Sequence, residues 1–270
     1  MAESDAAAEQ ELIFERRDDD VALLTLNRPK ARNTVSFAMW EQFSQALDTL
    51  ETDLPRAVVL CGAGGYFSSG GDVKTPPSRG DGAQRLAARL EMGQRIIARL
   101  RALPAPTIAA VEGGAFGVSW SLAMACDMIF ASKTARFGAP FLTFGLVPDG
   151  GAAWFLSRQL GRHRAAEIIF SGRYLDADEA LAAGLVSRLE PEGAVVEAAL
   201  TFASDIGSGN RHAVELTKRL LQISDTSDLA VSHALELSYC HTCQAGDEVV
   251  RAREAFVARA AAAKASKPAG

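Results

Sequence analysis

Two short apolar runs open the chain, Leu12 to Arg16 and Val21 to Leu26, on either side of the acidic turn Asp18-Asp19-Asp20. Runs of this length around a turn predict a β-hairpin, and the second, Val-Ala-Leu-Leu-Thr-Leu, is apolar enough for burial on both faces. From Ser36 the spacing becomes that of a helix. Phe37, Trp40, Phe43, Ala46, Leu47 and Leu50 fall on one stripe, so an amphipathic helix is expected after the turn Asn27-Arg28-Pro29.

Ala57 to Cys61 reads as a buried strand ending at Gly62, and Ala109 to Val111 as another, introduced by Pro104 and Pro106. Between them Leu86, Leu90, Met92, Gln94, Ile96, Ile97 and Leu100 support one long helix. A short helix from Gly117 to Ala125 then precedes a strand from Met128 to Ala131. Strand, crossover helix and strand in this order predict an α/β architecture with mostly parallel strands. Beyond about residue 152 strands nearly vanish. Ala152 to Leu160, Arg164 to Ser171, Ala177 to Ala183, Val195 to Ile206, Ala213 to Ile223, Asp228 to Gln244 and Glu248 to Ala263 all read as helices. The organisation expected is a disordered end over 1–10, an α/β core over 11–192 and a helical C-terminal region over 193–270, with no internal repeat and no linker rich in Pro, Gly and Ser.

Composition narrows the class. Of 270 residues 48% are hydrophobic and 23% charged, the usage of a globular chain. A net charge of -5 gives no overall field favouring nucleic acid or anionic lipid, so neither is expected as a partner. Cys61, Cys126, Cys240 and Cys243 are too few and too scattered for a secreted disulfide framework, and acidic residues crowd the N-terminus ahead of Arg16, unlike a signal peptide. A cytoplasmic location is expected. The apolar stretch between Glu112 and Asp127 is shorter than the roughly 18 residues a membrane helix needs, and reads as core.

Several candidate chemistries fail on spacing. Gly62-Ala63-Gly64-Gly65-Tyr66-Phe67 follows a strand, but Phe67 stands where a dinucleotide fingerprint requires a small residue and no amphipathic helix starts there. Cys240 and Cys243 have no second pair at zinc-site spacing, so no metal is expected. His163, His212, His233 and His241 all lie in the helical last half, and no Gly-x-Ser-x-Gly occurs. Two glycine-rich loops remain, Tyr66 to Asp72 and Gly113 to Ser119, each after a parallel strand. Such loops leave backbone N–H groups unpaired, and two aimed at one point make an oxyanion site; the alternative is that the glycines only permit tight turns.

Four segments in order, Leu26-Asn27-Arg28-Pro29-Lys30-Ala31-Arg32-Asn33, Phe67-Ser68-Ser69-Gly70-Gly71-Asp72, Gly113-Gly114-Ala115-Phe116-Gly117 with Asp127, and Phe137-Gly138-Ala139-Pro140 leading to Gly145-Leu146-Val147-Pro148, resemble the crotonase (enoyl-CoA hydratase/isomerase) superfamily. The resemblance runs from about residue 12 to residue 258. It implies a crotonase-like spiral of ββα units, a helical C-terminal trimerisation region with self-association as a trimer or hexamer, and an acyl-CoA thioester as substrate, with coenzyme A entering as part of that substrate and no separate cofactor. The family's oxyanion hole takes one N–H from each glycine loop, which carries over to Gly71 and Val118.

Hydratases of this superfamily carry two glutamates, at positions that correspond by motif to Ser121 and Phe141. Neither side chain can position and deprotonate water. A carboxylate is available instead at Asp149, in Leu146-Val147-Pro148-Asp149-Gly150-Gly151, read as a turn between a strand and the helix at Ala152. Enoyl-CoA isomerases of the superfamily place their catalytic acid in this turn; an N-cap role is the other reading. The resemblance therefore favours an isomerase that moves a double bond from the 3-enoyl to the 2-enoyl position with Asp149 as single base. Hydration, another lyase reaction of the family, and acyl-CoA binding without chemistry remain alternatives; an aryl-CoA dehalogenase would need a histidine that 80–111 lacks. Phe116, Trp120, Phe141 and Phe144 are expected as an apolar wall, or as core alone. Ser69, Gly70 and Asp72 are expected beside the thioester, and Lys30 and Arg32 at the CoA phosphates, with Lys74 as a further candidate.

Overall fold

The computed structural model describes residues 10–74, 88–206 and 210–265. Its strands are β1 (Leu12–Arg16), β2 (Val21–Leu26), β3 (Ala57–Gly62), β4 (Thr107–Val111), β5 (Gly114–Phe116), β6 (Met128–Ser132), β7 (Arg136–Gly138), β8 (Tyr174–Asp176) and β9 (Arg188–Glu190). The helices are α1 (Phe37–Thr52), α2 (Ala88–Ala102), α3 (Val118–Met124), α4 (Ala152–Leu160), α5 (Arg162–Ser171), α6 (Ala177–Ala182), α7 (Val195–Asp205), α8 (Arg211–Ser224), α9 (Leu229–Gln244) and α10 (Asp247–Ala265). Leu86, expected on the long helix, lies outside the described residues.

The main sheet has the order β1-β2-β3-β4-β6-β9, antiparallel only at the opening hairpin and parallel elsewhere. A second sheet runs β5-β7-β8. Strands β4 and β6 each hand over to a short second strand and then toward a helix: β4 to β5 to α3, and β6 to β7 toward α4. Earlier in the chain the pieces are single residues. Val35 bridges to Gly71 and Ser68 to Ala115, both parallel, so β2 and β3 take the same path before α1 and α2. This is a spiral of strand, strand and helix whose second strands converge at one place.

The sequence explains the large elements. Ser36 caps α1 by accepting the Met39 N–H at 3.0 Å, and every member of its predicted stripe is buried. Strands β5, β7, β8 and β9 are absent from the sequence reading, because three residues with glycine or charge among them show no period. The segment before Asp149 also differs: Pro140–Phe144 is a 3-10 turn, so Asp149 follows a loop and no strand.

Contacts divide the chain into two compact units, one closing at Ser204 and one beginning at Asp205. Helix α7, grouped by sequence with the C-terminal helices, belongs to the first unit, where Phe202 meets Phe130 edge-on at 5.4 Å. The second unit consists of α8, α9 and α10. No helix among the described residues is long and apolar enough to cross a membrane.

Candidate active site

The two glycine loops meet through a chain of buried hydroxyls. Ser68 N–H donates to the Gly114 carbonyl at 3.1 Å and Phe116 N–H to the Ser68 carbonyl at 3.2 Å. The Ser119 hydroxyl accepts a second bond from Phe116 N–H at 3.0 Å and sits 2.9 Å from the Ser68 carbonyl. Ser68 in turn donates to the Asn33 carbonyl at 2.7 Å. The approach is too close for a side chain on Gly70: at φ +104° its Cβ would stand 2.8 Å from the Phe116 carbonyl oxygen. One residue on, a Cβ on Gly71 would lie 3.9 Å from Val118 Cγ1. Gly71 and Val118 therefore face each other across the junction, and among the described residues neither N–H has an acceptor.

These loops open on a cavity of about 500 Å³, within the range of small-molecule sites. Ser69, Gly70, Gly71 and Val118 line one side, Trp40, Leu90 and Gly93 another, and Phe141, Phe144 and Leu146 a third. Asp149 is the one carboxylate among the described lining residues. Its Oδ1 is shut off from solvent with no hydrogen-bond partner. Burial pushes its pKa from 3.8 up to about 6, with the Arg89 guanidinium on the same cavity pulling the other way.

Backbone contacts aim Asp149. Its carbonyl accepts the Ala152 N–H at 3.0 Å and the Ser121 hydroxyl at 2.9 Å. The N-cap of α4 is Gly151, so the Asp149 carboxylate caps nothing. Ser121 thus has a task of its own: fully buried on α3, it ties the Asp149 turn to the helix that begins at Val118.

Other predicted residues fall elsewhere. Trp120 is core and not wall: it is 1% exposed and packs on Phe137 at 5.9 Å between ring centres. Phe116 turns away from the cavity to meet Tyr174 at 4.9 Å. Asp72 is bound up in structure, pairing with Arg28 at 3.1 Å and accepting the Lys74 N–H at 3.0 Å. Phe141 and Phe144 do line the cavity, the first buried and the second 60% exposed at its rim. Lys30 and Lys74 are exposed, and Arg32 lies 5.8 Å over the Tyr66 ring, its carbonyl accepting Ser69 N–H at 3.0 Å. Cys240 and Cys243 lie on α9, and the described residues hold no cluster of three metal-ligating side chains.

Sequence reasoning missed three contributors. Arg89 borders a segment without a motif and gave no signal. Arg28 and Asn33 stood inside a recognised motif without an assigned role. Arg28 holds Asp72 and reaches the Thr34 carbonyl at 2.8 Å, while buried Asn33, at φ +53°, donates to the Ala63 carbonyl at 2.9 Å and accepts Arg28 N–H at 2.8 Å. Together they lock the first motif to the first glycine loop.

Comparison with known proteins agrees with this architecture. Residues 16–263 match the family model described as enoyl-CoA hydratase/isomerase. The 2,3-dehydroadipyl-CoA hydratase of Escherichia coli K12 is 36% identical over 228 residues, covering 84% of this chain and 87% of that protein. The short-chain-enoyl-CoA hydratase of Clostridium acetobutylicum is 32% identical over 243 residues, covering 89% and 92%. Among solved structures, an enoyl-CoA hydratase from Bacillus anthracis superposes with a TM-score of 0.87 at 28% identity, covering 93% of this chain and 97% of that one.

Proposed function

The chain belongs to the enoyl-CoA hydratase/isomerase, or crotonase, family, and within it we propose an acyl-CoA thioester isomerase that converts a 3-enoyl to a 2-enoyl thioester with Asp149 as its only base. The observation that carries this reading is Asp149, the one carboxylate among the described lining residues, desolvated on one oxygen and tuned to about 6. The thioester carbonyl sits between the N–H groups of Gly71 and Val118. Asp149 removes a proton from the carbon next to that carbonyl. The electrons move onto the carbonyl oxygen, where two preset donors stabilise the enolate; one donor of this kind is worth about 10²–10³ in rate. Asp149 then returns the proton two carbons further along, and the double bond ends in conjugation with the thioester. No water enters, so one base suffices. The apolar side made by Phe141, Phe144 and Leu146 keeps bulk water from the enolate.

Hydration is the second reading, favoured by the names of the relatives. Against it stand Ser121 and Phe141, at the places where the family's hydratases carry glutamates; Ser121 is committed to the Asp149 carbonyl. Lys30 and Arg32 are the cations we assign to the CoA phosphates, supported by the tie from Arg32 to Ser69 on the cavity wall. The same reading includes self-association through the C-terminal helices and a cytoplasmic setting, the latter supported by four unpaired cysteines.

A panel of 2-enoyl and 3-enoyl CoA thioesters, followed by mass spectrometry, separates the readings. Isomerisation changes the position of the double bond and leaves the mass unaltered. Conversion of 2-enoyl thioesters to products heavier by one water, with 3-enoyl thioesters untouched, overturns the isomerase in favour of the hydratase.

A further inference from the structure

Arg89 stands in the first turn of α2 and lines the cavity together with Asp149. Among the described lining residues these two are the only charged ones. The guanidinium is anchored: its Nη1 donates to the Asp72 carbonyl at 2.5 Å, across 17 residues of chain. Asp72 is buried and directly follows Gly71. A hydrogen bond from a charged donor is roughly twice as strong as a neutral one, so this contact is a firm one.

The segment before α1 holds the same loop from its other side. Val35 N–H donates to the Gly70 carbonyl at 2.9 Å, Asp72 N–H donates to the Val35 carbonyl at 3.1 Å, and Arg28 pairs with the Asp72 carboxylate at 3.1 Å. These contacts fix the peptides on either side of Gly71. The Asp72 carbonyl, one peptide further on, is where α2 takes hold.

The charges around Asp149 single out the same side chain. Helix α3 carries no charged residue. On α2, Glu91 and Arg95 are exposed, Arg99 pairs with Asp48 and Glu51, and Arg101 lies 5.1 Å over the Trp154 ring. Arg158 of α4 lies over that ring too, at 4.4 Å. The cation that acts on Asp149 is Arg89, and it opposes the burial that favours the protonated acid.

We propose that Arg89 is a positioning residue of the active site: held on the Asp72 carbonyl, its guanidinium fixes the end of the Gly71 loop against α2 and presents a positive charge to the cavity that Asp149 shares. One side chain thereby serves both the oxyanion donor and the base. The inference rests on the reading of this cavity as a thioester site in which Gly71 donates to the enolate oxygen and Asp149 is the base.

Arg89→Met removes the donor and the charge, whereas Arg89→Lys keeps the charge on a compact ammonium without the planar fork. Turnover of the 2-enoyl and 3-enoyl CoA panel is measured against pH, with melting curves alongside; Arg89→Gln replaces Arg89→Met should the latter not fold. In Arg89→Met kcat is expected to fall about tenfold or more, KM to change less than kcat, and kcat/KM to level off at higher pH than in wild type. Arg89→Lys returns the pH profile to that of wild type and recovers part of kcat. Wild-type kcat and pH profile in Arg89→Met overturn the inference. So does a rise in KM alone, which makes Arg89 a substrate ligand, or a loss matched in melting temperature with the pH profile unmoved, which makes it a structural residue. Water addition to a 2-enoyl thioester also passes through an enolate, so hydration by the wild type overturns the isomerase while the variants still decide the role of Arg89. A wild type that converts no thioester overturns both.

Discussion

Asp149 carries its charge against the fold. Because burial lifts its pKa from 3.8 to about 6, the folded state prefers the protonated acid. The stability gained from that preference is complete below pH 3.8 and is lost as pH rises through about 6, so at pH 8 the ionised side chain costs the fold up to about 3 kcal/mol. Asp149→Asn is therefore expected to melt higher than wild type at pH 8 and no higher at pH 3.5; an equal or lower melting temperature at pH 8 contradicts the desolvation described here. In the proposed mechanism the same ionisation acts with the opposite sign for function, since a base works only when deprotonated. The rate constant kcat/KM rises with pH and levels off above about 6, whereas a flat profile between pH 5 and 8 argues against a base at Asp149. At this scale the sequence was informative about position: Gly71, Val118 and Asp149, each named from a motif, line one cavity. It left Trp120 open between wall and core, because α3 is buried on every side and its pattern cannot say which face meets a cavity; the structure puts it in the core.

Helices and strands matter here for how rigidly they hold two N–H groups at one spot. Strand β5 and the bridges at Ser68 and Val35 were invisible in the sequence, being too short to show a period, yet they bring the glycine loops into register. Long elements such as α1 were legible because their apolar stripe repeats over several turns. Ser119 links the loops by side chain, taking the Phe116 N–H and touching the Ser68 and Phe116 carbonyls. Ser119→Ala leaves the Phe116 N–H with the Ser68 carbonyl as its one acceptor and should destabilise by about 0.5–1.5 kcal/mol in urea unfolding. If the two loops hold the proposed enolate donors, it should also lower kcat more than it raises KM. A variant as stable and as active as wild type contradicts the role given to this hydroxyl.

The second compact unit exposes Leu221, Leu229, Leu237 and Phe256, each at least 60% accessible. That much apolar surface on α8 to α10 is what the proposed contact with further copies of the chain would cover, an expectation raised by the resemblance to the crotonase superfamily. Light scattering at micromolar concentration is expected to give three or six times the chain mass, and a monomer there contradicts the assembly. The central claim for the molecule remains the single base. Its most direct measurement is conversion of a 3-enoyl to a 2-enoyl CoA thioester by Asp149→Asn, compared with wild type on a substrate the wild type turns over. The account predicts intact folding and thioester binding with a loss of at least about 10²–10⁴ in kcat; isomerisation within a few-fold of wild type contradicts it.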